Sequence, residues 1–178
     1  SDYFEKIFDE FHNSEDLGIA SGSCYLVNRG RKIDEVVAPK HTRGGLKTYR
    51  RGCFLEIGGI REIDGWDGID NSLAQMAGWQ TSSFPNISVE HQRATGSYSG
   101  LVRGCFESGK FAFSMRYLPI FILARSIVRM GKKPLIVGGI SMFCGYLYGF
   151  VGRHEKFDDL EAARFLRNGQ KERLKFWK

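Results

Sequence analysis

From Pro134 to Gly152 nineteen consecutive residues carry no formal charge, in a chain of 178 residues of which 26% are charged. Such a stretch is not a solvated surface. It must span a bilayer, lie in its interface, or be covered by protein, and about 18–20 uncharged residues is the length at which spanning begins. Five glycines and two tyrosines within it weaken a span. Basic residues flank both ends, Lys132 and Lys133 before it and Arg153 and Lys156 after it, so the charge asymmetry that orients a span is missing. Three readings stay open: a true span, an interfacial or re-entrant helical hairpin, and a buried helix.

The charges divide the chain in the same way. Residues 1–90 carry 10 Lys and Arg against 14 Asp and Glu, whereas residues 91–178 carry 16 against 6. Only the back half suits a polyanion or an anionic membrane. Few aromatics interleave with its basic residues, so a membrane surface fits better than nucleic acid. With 42% apolar and 13% aromatic residues the chain is neither disordered, collagen-like nor a disulfide miniprotein. Its length suits one domain, or one domain with an appendage. Cys24, Cys53, Cys105 and Cys144 are scattered, without a CxxC pair, and read as reduced thiols on a cytosolic face. Residues 1–11 are amphipathic and acidic, unlike a signal peptide.

Periodicity predicts a mixed α/β front. Tyr3, Phe4, Ile7, Phe8 and Phe11 fall at helical spacing, closing near His12-Asn13-Ser14. Gly18 to Val27 reads as a strand, turns at residues 28–31, and returns over Ile33 to Val37. Gly45 to Tyr49 is a further strand candidate, running into a short helix at Arg51–Ile57 that Gly58-Gly59 stops. A helix follows over Asp67 to Ala77, then strands at Thr81–Phe84 and Ile87–Val89 around Pro85-Asn86. The back is helical: Tyr117 to Met130, with Pro119 in its first turn, and a basic helix over Asp158 to Lys178 anchored by Leu160, Phe165, Leu166 and Leu174.

The segment richest in chemistry runs from Glu56 to Trp79: a short helix, a Gly-Gly stop, an acidic loop, and a helix that opens at an aspartate. Asp67 and Asp70 lie three apart, so both sit on its first turn. A carboxylate there is favoured by the unpaired N–H groups and the helix dipole. From these residues alone Asp67 is either a cap or a group facing a cleft.

Taken in order, Tyr49-Arg50-Arg51, Ile57-Gly58-Gly59-Ile60, Trp66-Asp67, Ala77-Gly78-Trp79, Phe84-Pro85 and Val89-Glu90-His91 resemble the C-terminal half of the inverting family-two glycosyltransferases of GT-A fold. Trp66 stands where that family usually has Glu, and Ile69 where many members have a second acid. Trp-Asp-x-Ile-Asp resembles a bacterial subgroup of cell-surface polysaccharide synthesis. The similarity covers roughly residues 2–110 and is loose beyond.

The resemblance implies an α/β fold. Residues 1–115 would be the C-terminal part of a GT-A, Rossmann-like mixed sheet, and residues 116–178 a helical, basic and apolar, membrane-associating tail. It implies transfer of a sugar, with inversion, from a nucleotide-diphosphate donor to a glycan or lipid-linked acceptor at the cytoplasmic face of the cell membrane. Asp67 aligns with the base that deprotonates the acceptor hydroxyl. Trp66 would stack on an acceptor sugar or else join the core, and Asp70 would contact acceptor or serve structure. Trp79 reads as core. Arg43, Gly44 and Gly45 resemble the donor-sugar loop, or form an ordinary turn. His91 is the candidate ligand of a divalent metal, Mg or Mn, or a surface residue. Arg93 and Thr95, with Gly96 and Ser97, would close over a diphosphate or form an exposed basic loop. The family's Asp-x-Asp, which holds most of the metal, has no counterpart here. The chain is therefore expected to be a C-terminal portion, inactive alone. The alternatives are a non-catalytic membrane-associated binding or scaffold module and, more weakly, a basic nucleic-acid-binding domain.

Overall fold

The computed structural model describes residues 2–28, 30–35, 40–62, 66–92 and 100–175. Two compact units form, residues 1–94 and residues 95–178. The expected boundary lay at residues 115–116.

The first unit is mixed α/β and grows around one long strand, β1 (Leu17–Asn28). Ile19 and Ala20 pair with Tyr49 and Thr48 of the short antiparallel β3 (Thr48–Tyr49). The same two residues pair with Thr81 and Ser82 of β4 (Gln80–Glu90), which runs parallel on the opposite edge. Farther along, Cys24 to Asn28 pair antiparallel with β2 (Arg31–Glu35), on the edge that β3 also uses. The two strands expected around Pro85-Asn86 are thus one. Gly22 pairs with Phe84 and Ser23 with Ser88, so the ladder skips over Pro85, whose nitrogen has no hydrogen to give it. Gly45 is not in a strand: Gly44–Leu46 form one 3₁₀ turn before β3.

Adjacent residues on a strand face opposite ways, and β1 uses both faces. Ala20, with Leu17 and Ile87, packs on Tyr3 and Ile7 of α1 (Tyr3–Asn13). Ile19 packs on Cys53 of α2 (Arg51–Glu56), on Ile57, and on Ala74 of α3 (Trp66–Met76). Trp79 closes that second cluster and donates its indole N–H to Glu56 Oε2 at 2.7 Å, in keeping with its core reading. Gly22 is fixed by space, because a Cβ there would lie 2.1 Å from the Ile87 carbonyl oxygen. Arg50 ties α1 to the sheet by donating to the carbonyls of Phe11, Ser14 and Leu17.

The second unit is all helical: α4 (Leu101–Ser114), α5 (Pro119–Met130), α6 (Val137–Val151) and α7 (Leu160–Lys175). Helix α4 was not anticipated from the sequence. It packs on α6 through glycines. A Cβ on Gly109 would lie 1.8 Å from the Met142 carbonyl oxygen, and one on Gly145 would lie 2.0 Å from that of Phe106. Ala112, Phe113, Ile122 and Tyr146 form the small core. On α7 the buried residues are Ala162, Ala163 and Gln170, and the Gln170 side-chain oxygen accepts the Leu118 N–H at 2.9 Å. Of its expected anchors, Leu160 and Phe165 are exposed. The uncharged segment gives a helix of only 15 residues, about 22 Å at 1.5 Å per residue against a hydrocarbon core of about 30 Å. Among the described residues no helix is long and apolar enough to cross a membrane, which removes the spanning reading.

Gly109→Ala and Gly145→Ala are each expected to cost about 1–3 kcal/mol through overpacking. Gly169→Ala on α7, where an added Cβ meets nothing, should stabilise by up to about 1 kcal/mol. Denaturant unfolding followed by circular dichroism checks the contrast.

Candidate functional site

The first turn of α3 and the segment that enters β3 are locked together by a buried carboxylate. Asp70 is 3% exposed, and both its oxygens are engaged. The Lys47 ammonium donates to Oδ1 and to the Asp67 carbonyl, the Tyr49 hydroxyl donates to Oδ2, and the Asn71 amide donates to Oδ1 at 2.6 Å. Lys47 and Tyr49 are two apart in an extended segment, so both point to the same side. Burial drives the Lys47 ammonium below its usual range, with Asp70 opposing that shift. It drives the Tyr49 phenol upward, reinforced by the Asp70 charge. Asn71 extends the lock by accepting from Thr42 Oγ1 at 2.8 Å and donating to the Asp67 carbonyl at 2.7 Å.

On this base sits Asp67, the second residue of α3. Its carboxylate is half-buried and accepts no hydrogen bond among the described residues. Gly44 lies directly against it: a Cβ on Gly44 would be 3.1 Å from Asp67 Cβ and 3.2 Å from Oδ2. Gly45, one residue on, faces open space. Trp66 is half-buried, with the Lys47 ammonium 5.5 Å from its ring centre. The sheet and the lock beneath it thus bring together Gly44, Gly45, Trp66, Asp67 and Asp70. Asp70, with both oxygens taken, positions the others.

Arg43 and His91 meet a short way off, over Glu35. Cys24 pairs with both Glu35 and Val89, so all three rise from one sheet face, and His91 follows two residues after Val89. Arg43 Nη1 donates to Glu35 Oε2 at 2.7 Å, and His91 Nδ1 lies 3.0 Å from the same oxygen. The ligand atoms of Cys24, Glu35 and His91 lie within 4.8 Å of one another. As a set they suit Mg or Mn poorly. Such hard cations take oxygen ligands, whereas this cluster offers one carboxylate, already held by a guanidinium, beside a thiol that burial keeps protonated. Arg93 and Thr95 lie outside the described residues.

Lys47, Glu35 and Cys24 did not stand out as site residues in the sequence. A signal existed for the first: Lys47 and Tyr49 alternate into the segment that faces the acidic helix start. Nothing local marks Glu35, because only strand pairing brings it to His91. Compared with family models, curated proteins and solved structures, the chain finds no match in any of the three.

Replacing one member of the buried pair strands the other. Asp70→Leu or Lys47→Met alone is expected to cost about 3–5 kcal/mol, while the double variant recovers most of the loss. Urea unfolding of the four proteins measures the coupling. Thiol reactivity checks the burial pattern: Cys144 is exposed, whereas Cys24, Cys53 and Cys105 are buried, and burial pushes the Cys53 thiol up to about 11. A maleimide at neutral pH should modify Cys144 rapidly and the other three only on unfolding.

Proposed function

We propose that the first unit contributes the base and the acceptor side of an inverting glycosyltransferase of GT-A type. The enzyme moves a sugar from a nucleotide-diphosphate donor to a glycan or lipid-linked acceptor in cell-surface polysaccharide synthesis. The observation that carries the proposal is Asp67: a carboxylate on the first turn of a helix, without a hydrogen-bond partner among the described residues, against a Gly-Gly loop. Nearby Asp70 is consumed by structure, so of the two aspartates on this turn Asp67 is the one with free acceptor capacity.

In the proposed reaction the Asp67 carboxylate takes the proton from an acceptor hydroxyl as that oxygen bonds to the anomeric carbon. The bond from that carbon to the donor phosphate oxygen breaks on the opposite face, and the nucleotide diphosphate leaves with the electron pair. Configuration inverts because attack and departure are in line. Trp66 offers an apolar face to the acceptor ring, and Gly44-Gly45 leave room for backbone to approach a sugar. Arg43 and His91, joined through Glu35, brace the loop that carries these glycines. At His91 the cluster with Cys24 and Glu35 offers a hard cation one carboxylate, already held by Arg43.

Asp67→Asn in the full-length protein should lower turnover by about 10²–10⁴-fold with stability nearly unchanged, since Asn keeps the shape and loses the basicity. Gly44→Ala should also lower turnover, by displacing Asp67. Gly45→Ala should raise the donor KM alone. Sugar transfer from a panel of nucleotide sugars, with melting temperatures of each variant, provides the readout. Undiminished turnover in Asp67→Asn would remove the assignment and leave the binding-module alternative.

A further inference from the structure

Helix α6 is built inside out for a helix in water. Its buried side is small: Gly138, Gly139, Gly145 and Gly149, with Met142 and Tyr146. Apart from Met142, Tyr146 and the partly buried Phe143, its large apolar residues point outward instead. Val137, Ile140, Leu147 and Val151 are all exposed, Val151 by 79%, and with Cys144 they recur every three or four residues down one face. The neighbouring α5 repeats the pattern with Ile120, Leu123 and Ile127, all exposed and in one stripe. Leu135 and Ile136, in the connection between these helices, are exposed as well. Close glycine packing with large residues turned outward is how helices associate in lipid, where burying apolar side chains against protein brings little gain. An exposed apolar face as long as that of α6 marks an interaction site.

The charge around this surface selects its partner. Between Glu107 and Glu155 there is no Asp or Glu, while seven Lys and Arg occur. Of these, Arg125, Lys132 and Lys133 are exposed on α5 and the connection after it, and Arg153 is exposed just past the end of α6. Cations thus stand at both ends of an outward apolar stripe about 22 Å long (15 residues at 1.5 Å each). A helix too short to cross the bilayer, with cations at both ends, satisfies both only by lying flat, its apolar side about 5–10 Å into the headgroup boundary. We propose that the outward stripe of α6, with that of α5 beside it, docks on an anionic lipid bilayer, with α6 lying in the plane of the interface and not crossing it. The proposal stands apart from the transferase assignment, since neither Asp67 nor its surroundings enter it.

Cys144 provides a native probe, being the exposed thiol among the four and lying on the stripe. The full chain, carrying an environment-sensitive fluorophore on Cys144, is mixed with phosphatidylcholine vesicles with and without phosphatidylglycerol. Flotation with the anionic vesicles is expected, with a blue shift and stronger quenching by nitroxides near the headgroups than by nitroxides deep in the acyl chains. Ile140→Glu combined with Leu147→Glu should lower partitioning by about tenfold or more. Both side chains are already exposed, so circular dichroism and melting should not change. Lys132→Glu combined with Lys133→Glu should lower binding to the anionic vesicles selectively. Absence of flotation with anionic vesicles overturns the proposal, as does flotation indifferent to the Ile140 and Leu147 substitutions. Deeper quenching by the acyl-chain nitroxides overturns the in-plane placement. Self-association that those substitutions abolish, without lipid binding, assigns the surface to a second copy and likewise overturns it.

Discussion

The buried pair of Lys47 and Asp70 is the constraint on which the candidate site rests. An ammonium and a carboxylate with side chains 1% and 4% exposed are tolerable because both Asp70 oxygens and the Lys47 ammonium are hydrogen-bonded. Lys47 bridges to the Asp67 carbonyl, Tyr49 caps the other Asp70 oxygen, and Asn71 carries the network on to Thr42. The loop from Thr42 to Tyr49 and the start of α3 therefore cannot move independently. Buried ion pairs contribute little net stability against apolar replacements, and what this one supplies is registry between a loop and a helix end. Gly44 is set against Asp67 as a consequence.

The same economy explains why the two aspartates of one helical turn differ. Asp70 points inward and is surrounded by donors. Asp67, three residues earlier and nearer the helix start, keeps its acceptor capacity while remaining close to the helix dipole and to Lys47. Two like side chains thereby differ in hydrogen bonding through their surroundings alone. The Glu35 cluster is a second brace, in which one carboxylate oxygen holds a guanidinium and an imidazole from distant parts of the sequence.

The helical unit obeys a different rule. Its helices approach so closely that a methyl group on Gly109, Gly139 or Gly145 would overlap backbone oxygen. On α6 the glycines lie inside and Val137, Ile140, Leu147 and Val151 outside, and the resulting surface is apolar with basic ends. Dispersion between closely set backbones adds to the small core of Ala112, Phe113, Ile122 and Tyr146.

Much of the secondary structure was legible in the residues themselves. The spacing of Tyr3, Ile7 and Phe11 marks α1, Gly58-Gly59 stops α2, each with φ of 75°, and Pro119 opens α5, because these signals act within a few residues of chain. The sequence also determined that Asp67 and Asp70 share a helical turn and that residues 134–152 form an uncharged segment. It did not bury Asp70 against Lys47, place Glu35 beside His91, or reveal α4. Each of those depends on contacts between segments far apart: Lys47 and Tyr49 reaching Asp70, β1 pairing β2 and β4 on opposite edges, Gly109 seated on α6. Nor could periodicity orient α6, since glycine and leucine are equally uncharged. Only packing decided that Gly145 and Gly149 face protein while Ile140, Leu147 and Val151 face out, because only the small residues allow the backbones of α4 and α6 to meet.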